Sequence, residues 1–129
     1  LTISNFGVII NSQKREQTKR RHHIMIINYA NKKVEKICVS YSEAVKELGN
    51  KNVAKALAML MLDLRNVQKF TDFYTKPIFK HYRAHELTGD KKGITSLSIN
   101  YSYRLTSLVE IQVEEDEITI LEVSNHYGD

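Results

Sequence analysis

"YRLTSLVEIQV", residues 103–113, alternates with a period of two. Leu105, Val109, Ile111 and Val113 fall on one side of the chain; Arg104, Thr106 and Glu110 fall on the other. A strand written this way has one apolar face to bury and one polar face to leave open. An arginine heading the polar series is therefore expected to project from the uncovered side of a sheet, within reach of a ligand. The plain alternative is a solvated strand residue.

The same period continues on both sides. In "ITSLSIN" (94–100), Thr95, Leu97 and Ile99 share a face, and Ser96 and Ser98 share the other. "TGDKKG" (88–93) reads as a turn, with Gly89 and Gly93 supplying permissive backbone, and "YRAHEL" (82–87) before it as a strand. Downstream, the acidic turn "EEDE" (114–117) leads into "ITILEV" (118–123), apolar on both faces and so expected inside the sheet. The first half has a different period. Val53, Leu57, Leu60, Met61, Leu64 and Val67 form one stripe of an α-helix. Asn31 and Asn50 are suited to N-caps, and Gly49 to a stop. Helices are predicted over Asn31–Leu48 and Lys51–Lys69, joined as an antiparallel hairpin, after a short strand "IINY" (26–29). Pro77 closes the helical half. The fold class is α+β: an N-terminal helical hairpin packed on one face of a small, mostly antiparallel β-sheet.

Composition agrees with one globular domain: 129 residues, 42% hydrophobic and 26% charged. The single cysteine, Cys38, rules out an intramolecular disulfide, reads as a small half-buried apolar residue and points to a reducing compartment. No apolar run approaches the roughly 18 residues that cross a bilayer, and "FGVII" precedes the basic residues rather than following them, which is the wrong order for a signal peptide. A cytoplasmic protein without membrane association is expected. No metal-ligating cluster or cofactor motif is present; "GDKKG" lacks the glycine spacing and Ser/Thr of a phosphate-binding P-loop.

Charge is unevenly spread. Of 19 basic and 15 acidic residues, five and one lie within 1–24, leaving 14 of each in 25–129. Met25 opens "MIINYANKKVEK", where regular patterning starts, and Lys19-Arg20-Arg21 matches what a purine-rich, ribosome-binding-site-like run would encode. Met25 is accordingly expected to be the natural start, with residues 1–24 upstream sequence or a poorly packed extension; the alternative is a basic arm that binds nucleic acid. Within the domain, residues 76–104 carry six basic against two acidic side chains, and residues 105–129 carry seven acidic and no Lys or Arg. This suggests a basic patch at one end of the sheet and an acidic edge at the other.

The block Arg83, Leu87, Gly89, Asp90, Lys91 and Gly93, followed by Ser96, Ser98, Ile99 and Asn100 and then Tyr103-Arg104-Leu105, resembles the signature of RelE/ParE-superfamily toxins, in particular the HigB-like "killer protein" branch. The opening "MIINYANKKVEKIC" and the ending "EITILEVSNHYGD" are similar to that branch too, so the resemblance spans residues 25–129. It implies the toxin of a type II toxin–antitoxin pair. It also implies a metal-independent, ribosome-dependent endoribonuclease that arrests translation. The partners would be a helix-turn-helix antitoxin of HigA-like kind, the ribosome and mRNA. A ParE-like inhibitor of DNA gyrase and an inactive homologue that only binds its antitoxin are the competing expectations.

RNA cleavage by a 2′-hydroxyl needs proton transfer and positive charge at phosphorus. Arg104, always charged and forked, suits the phosphate; His126, carried over from the family's histidine near the C-terminus, and His85, beside the basic block, suit proton transfer; Arg83, Lys91 and Lys92 suit the RNA backbone, and Tyr103 or Tyr127 suits stacking on a base. HigB-like chains commonly end in Asp-Tyr-His; this one has Ser124-Asn125-His126-Tyr127. The resemblance thus supplies the histidine without an acidic partner beside it.

Overall fold

The structure, a computed structural model, describes residues 25–127; the expected extension 1–24 lies outside the described residues. Strand β1 (Ile26–Tyr29) is followed by helices α1 (Lys32–Val39), α2 (Tyr41–Leu48) and α3 (Lys51–Leu64) and by two single helical turns, α4 (Asp72–Thr75) and α5 (Pro77–Lys80). Then come β2 (His85–Glu86), a 3-10 turn at Gly89–Lys91, β3 (Ile94–Tyr101), β4 (Leu105–Glu114) and β5 (Glu117–Tyr127). The sheet order is β1-β5-β4-β3-β2. β1 runs parallel to β5 and every other pair is antiparallel. The α+β class, with helices on one face of the sheet, is as the alternation predicts, and "ITILEV" is interior, between β1 and β4.

α3 packs on β3, and α1 on β1 and β5. Val53, Leu57, Leu60 and Leu64 of α3 meet Leu97, Val109, Ile111, Ile118 and Ile120 of the sheet in one water-free layer. Each such side chain contributes about 1.5–3 kcal/mol by leaving water. A polar strut joins the layers: Ser107 Oγ donates to Asn125 Oδ1 (2.6 Å), and Asn125 Nδ2 donates to the Leu48 carbonyl (2.9 Å), capping the C-terminus of α2.

The structure departs from the predicted elements in three places. The first helix is divided at Ser40, which is extended (φ −128°, ψ 116°) and whose Oγ accepts from Glu43 N at 3.3 Å, starting a second helix. Val34, Ile37, Ala44 and Leu48 keep helical phase across the break, so hydrophobic spacing does not register it. α3 ends at Leu64 rather than Lys69, although Val67 stays in the core. "YRAHEL" yields only a two-residue strand, because Arg83 takes a left-handed conformation (φ 52°) that interrupts it.

Asp72 is a buried carboxylate at the end of this helical half. Burial alone would raise its pKa. The Gln68 and Lys69 amides (2.8 and 3.3 Å) and the Lys76 ammonium (3.5 Å) outweigh burial and hold it below the ordinary aspartate value. A lowered folded-state pKa stabilises above the unfolded value of about 3.9 and is lost as pH falls through the folded value. Asp72→Ala should cost about 1–3 kcal/mol at pH 7 in urea unfolding, and the variant's stability should fall less steeply than the wild type's below about pH 4. Cys38, its thiol pushed up to about 12 by burial, should react with iodoacetamide at pH 8 at least about tenfold more slowly in the native than in the denatured chain.

Candidate functional site

With α1–α3 on one face, no helix among the described residues covers the other face of the sheet, and two β-bulges decide what that open face displays. β3 and β4 pair regularly from Ile94↔Gln112 to Ser98↔Leu108, then skip Ile99 and resume at Asn100↔Ser107 and Tyr101↔Thr106. Ser107 is fully buried on the helix side, so Asn100 joins it there and Tyr101 turns to the open face. β5 does the same independently. Ile111↔Ile120 is a core pair; Leu121 is skipped, and Glu110↔Glu122 follows on the open face. From there Val123 and Asn125 lie helix-side, while Ser124 and His126 lie on the open side. Without the extra residues, simple alternation would send both Tyr101 and His126 towards the helices.

The outcome is a row, Tyr101–Thr106–His126, across three neighbouring strands at the end of the sheet that carries the β3–β4 turn. Ser124 Oγ lies 3.2 Å from His126 Nε2. The Arg83 guanidinium carbon sits over the Tyr101 ring, 3.6 Å from its centroid. Tyr103 and Arg104 occupy the turn itself, immediately before β4, both exposed, with the Arg104 guanidinium carbon 5.9 Å from the Tyr103 ring centroid; this corrects the expectation from alternation, since Arg104 stands in a turn and not on the open face of a strand. Ser102 Oγ accepts from Leu105 N (3.2 Å) and donates to its carbonyl (2.9 Å), and Asn100 Nδ2 donates to the same carbonyl at 2.8 Å, which fixes this turn.

The other predicted residues lie elsewhere. Consecutive turns of a meander alternate between the two ends of the sheet. The lysine turn therefore stands at the same end as the acidic turn Glu114–Glu117, and opposite to Arg104. This corrects the expected polarity: residues 76–104 do not gather at one end away from the acids. Lys91 is paired with Glu110 at 3.3 Å. His85, with Nδ1 3.1 Å from the Arg83 carbonyl, faces Ser96 on the edge strand. It stands three strands from His126, roughly 14 Å away across the sheet alone at about 4.8 Å per strand, so the two imidazoles do not meet at one phosphate. Tyr127 pairs with Leu105 and takes the side opposite to His126. Thr106 falls on the open side as alternation predicts, but Tyr101 and Ser124 were not legible from it, since an extra residue in a strand leaves no compositional mark.

Among the described residues, no group of three or more His, Cys, Asp or Glu is placed to hold a metal ion, and no helix is long and apolar enough to cross a membrane. No protein-family model matches the chain, and no curated protein matches it. Solved structures similar to it include the conserved hypothetical protein HP0894 from Helicobacter pylori, at 19% identity over 79% of this chain and 94% of that one (TM-score 0.44). YafQ from E. coli is similar at 13% identity over 79% and 93% (TM-score 0.46). A YoeB/ParE toxin from Agrobacterium tumefaciens is similar at 12% identity over 80% and 100% (TM-score 0.47).

The row has a direct test. In a nuclear Overhauser spectrum the Thr106 methyl should show contacts to ring protons of both Tyr101 and His126, and none to Tyr127. Contacts from Tyr101 to core methyls of α3 instead would mean that the bulge at Ile99 is absent.

Proposed function

We propose that the chain is a RelE/ParE-superfamily toxin of a toxin–antitoxin module, acting as a metal-independent endoribonuclease on mRNA at the ribosome and neutralised by a helix-turn-helix antitoxin. The HigB-like branch rests on the residue pattern alone. The observation that carries the proposal is the meeting of Arg83, Tyr101, Thr106 and His126 on the helix-free face, beside the Tyr103-Arg104 turn. Phosphate-binding, stacking and proton-transfer side chains of these kinds suit a strand of RNA laid across the sheet.

In this scheme the 2′-hydroxyl gives up its proton and attacks the adjacent phosphorus. The bond from phosphorus to the 5′ oxygen then breaks, and that oxygen takes a proton. The products are a cyclic phosphate and a 5′-hydroxyl. Arg104, permanently charged and forked, balances the extra negative charge on the phosphoryl oxygens. His126, with Ser124 at its Nε2, transfers the proton. Lys92 and the Glu110-paired Lys91 meet the RNA backbone further along the same strand. His85 is too far across the sheet to share the phosphate with His126, and its role is reduced to backbone contact at the edge.

Induced expression in bacteria should arrest translation, with cuts mapping inside coding sequence. Arg104→Ala should reduce cutting by about 100-fold or more, and His126→Gln by about 100-fold to 10,000-fold, both with unchanged far-ultraviolet circular dichroism. Intact mRNA with a DNA-damage response would point instead to gyrase. Absence of any growth defect would point to a homologue that only binds antitoxin.

A further inference from the structure

Tyr101 and Arg83 are placed together by two locally unfavourable choices. The bulge at Ile99 gives up regular pairing in β3 and turns Tyr101 outward, leaving it 64% exposed. Arg83 holds φ 52°, a conformation that glycine adopts freely and other side chains rarely. Its neighbours enforce that conformation. Tyr82 is buried; its hydroxyl donates to Asp63 of α3 and its carbonyl accepts from Ser98 N at 2.6 Å, while Arg83 N donates to the Lys80 carbonyl at 3.1 Å. A surface stack on its own stabilises little, and a glycine or asparagine would make a better turn here. Among the described residues, no carboxylate pairs with Arg83, so its guanidinium keeps a free plane and a free edge.

From this geometry we infer that Arg83 and Tyr101 form a preassembled stacking site for an unpaired nucleobase of single-stranded RNA, about two strand spacings from His126. The tyrosine ring backs the guanidinium on one side, and its outer side takes the base, as arginine planes and aromatic rings do in single-strand recognition. The ring–arginine pair thereby fixes which nucleotide lies over Thr106 and His126, and makes Tyr101, rather than Tyr103 or Tyr127, the residue that sets base placement. This inference deepens the RNA-cleaving proposal and rests on it for its biological setting, but its measurement needs no ribosome.

The experiment uses the full chain and a six-nucleotide single-stranded RNA carrying one 2-aminopurine, read by fluorescence quenching and by anisotropy. Wild type should bind with quenching, and should bind an abasic version of the same oligonucleotide about tenfold or more weakly. Tyr101→Leu and Arg83→Gly should each lose the quenching and about tenfold in affinity, while Arg83→Gly melts at or above the wild-type temperature because its strain is relieved. Arg83→Lys should keep most of the salt-dependent affinity and lose the quenching. Equal binding of the abasic oligonucleotide, quenching that survives Arg83→Gly, or no binding at all would overturn the stacking site. So would an Arg83→Gly protein that is less stable but binds unchanged. Quenching without mRNA cutting would sink the nuclease proposal and leave the stacking site standing; cutting with no quenching would do the reverse.

Discussion

Leu57, Leu60 and Leu64 of α3 exclude water from one face of the sheet by packing against Leu97, Val109, Ile111, Ile118 and Ile120, and among the described residues no element covers the other face in this way. This inequality governs everything else. Each strand residue is either within the apolar layer or on the open side, and moving from one to the other takes a shift of a single position. A bulge is the least disruptive device for such a shift, because it changes phase without displacing the core on either side of it. Ile99 and Leu121 do this on two different strands, and both act towards the same end of the open face.

That device also marks the limit of what the sequence reveals. Alternation in "YRLTSLVEIQV" was enough to orient β4, since Leu105 to Val113 run without interruption. The stripe from Val53 to Val67 was enough to find α3, since burial follows it residue for residue. Carrying the same period through β3 or β5 goes wrong after Ile99 and after Leu121. The error falls on Tyr101 and His126, the two ends of the row on the open face. A similar blindness hides the break at Ser40: the buried positions of α1 and α2 keep one helical phase, while Ser40 turns extended between them and its Oγ accepts from Glu43 N to start the second helix. Residue type located His126 and Arg104 as chemically apt; it did not reveal that His85, equally apt, lies on a distant edge strand.

Arg83 shows strain and site coinciding. Its left-handed backbone is held by Tyr82, which burial and the Asp63 hydrogen bond keep protonated well above the usual tyrosine range, so the donor to Asp63 persists at every physiological pH. The same segment receives Ser98 N just before the bulge at Ile99. The strained turn and the bulged strand are thus two halves of one support, and the guanidinium–ring contact lies where they meet.

A net charge of zero over residues 25–129 does not weigh against an anionic ligand at this support. Four of the fourteen acids, Glu114 to Glu117, stand together at the far end of the β4–β5 hairpin. β4 spans ten residues between that turn and the Tyr103-Arg104 turn, roughly 30 Å at about 3.4 Å per residue. With a screening length of about 8 Å at physiological ionic strength, the acidic turn contributes almost nothing to the potential felt over Tyr101 and His126. Lys91 stands nearer to that acidic end but is already matched by Glu110. Among the described residues, Arg83 lies against Tyr101 of the row and Arg104 stands in the adjoining turn, so two guanidinium groups are placed at this end even though residues 25–129 are neutral as a whole.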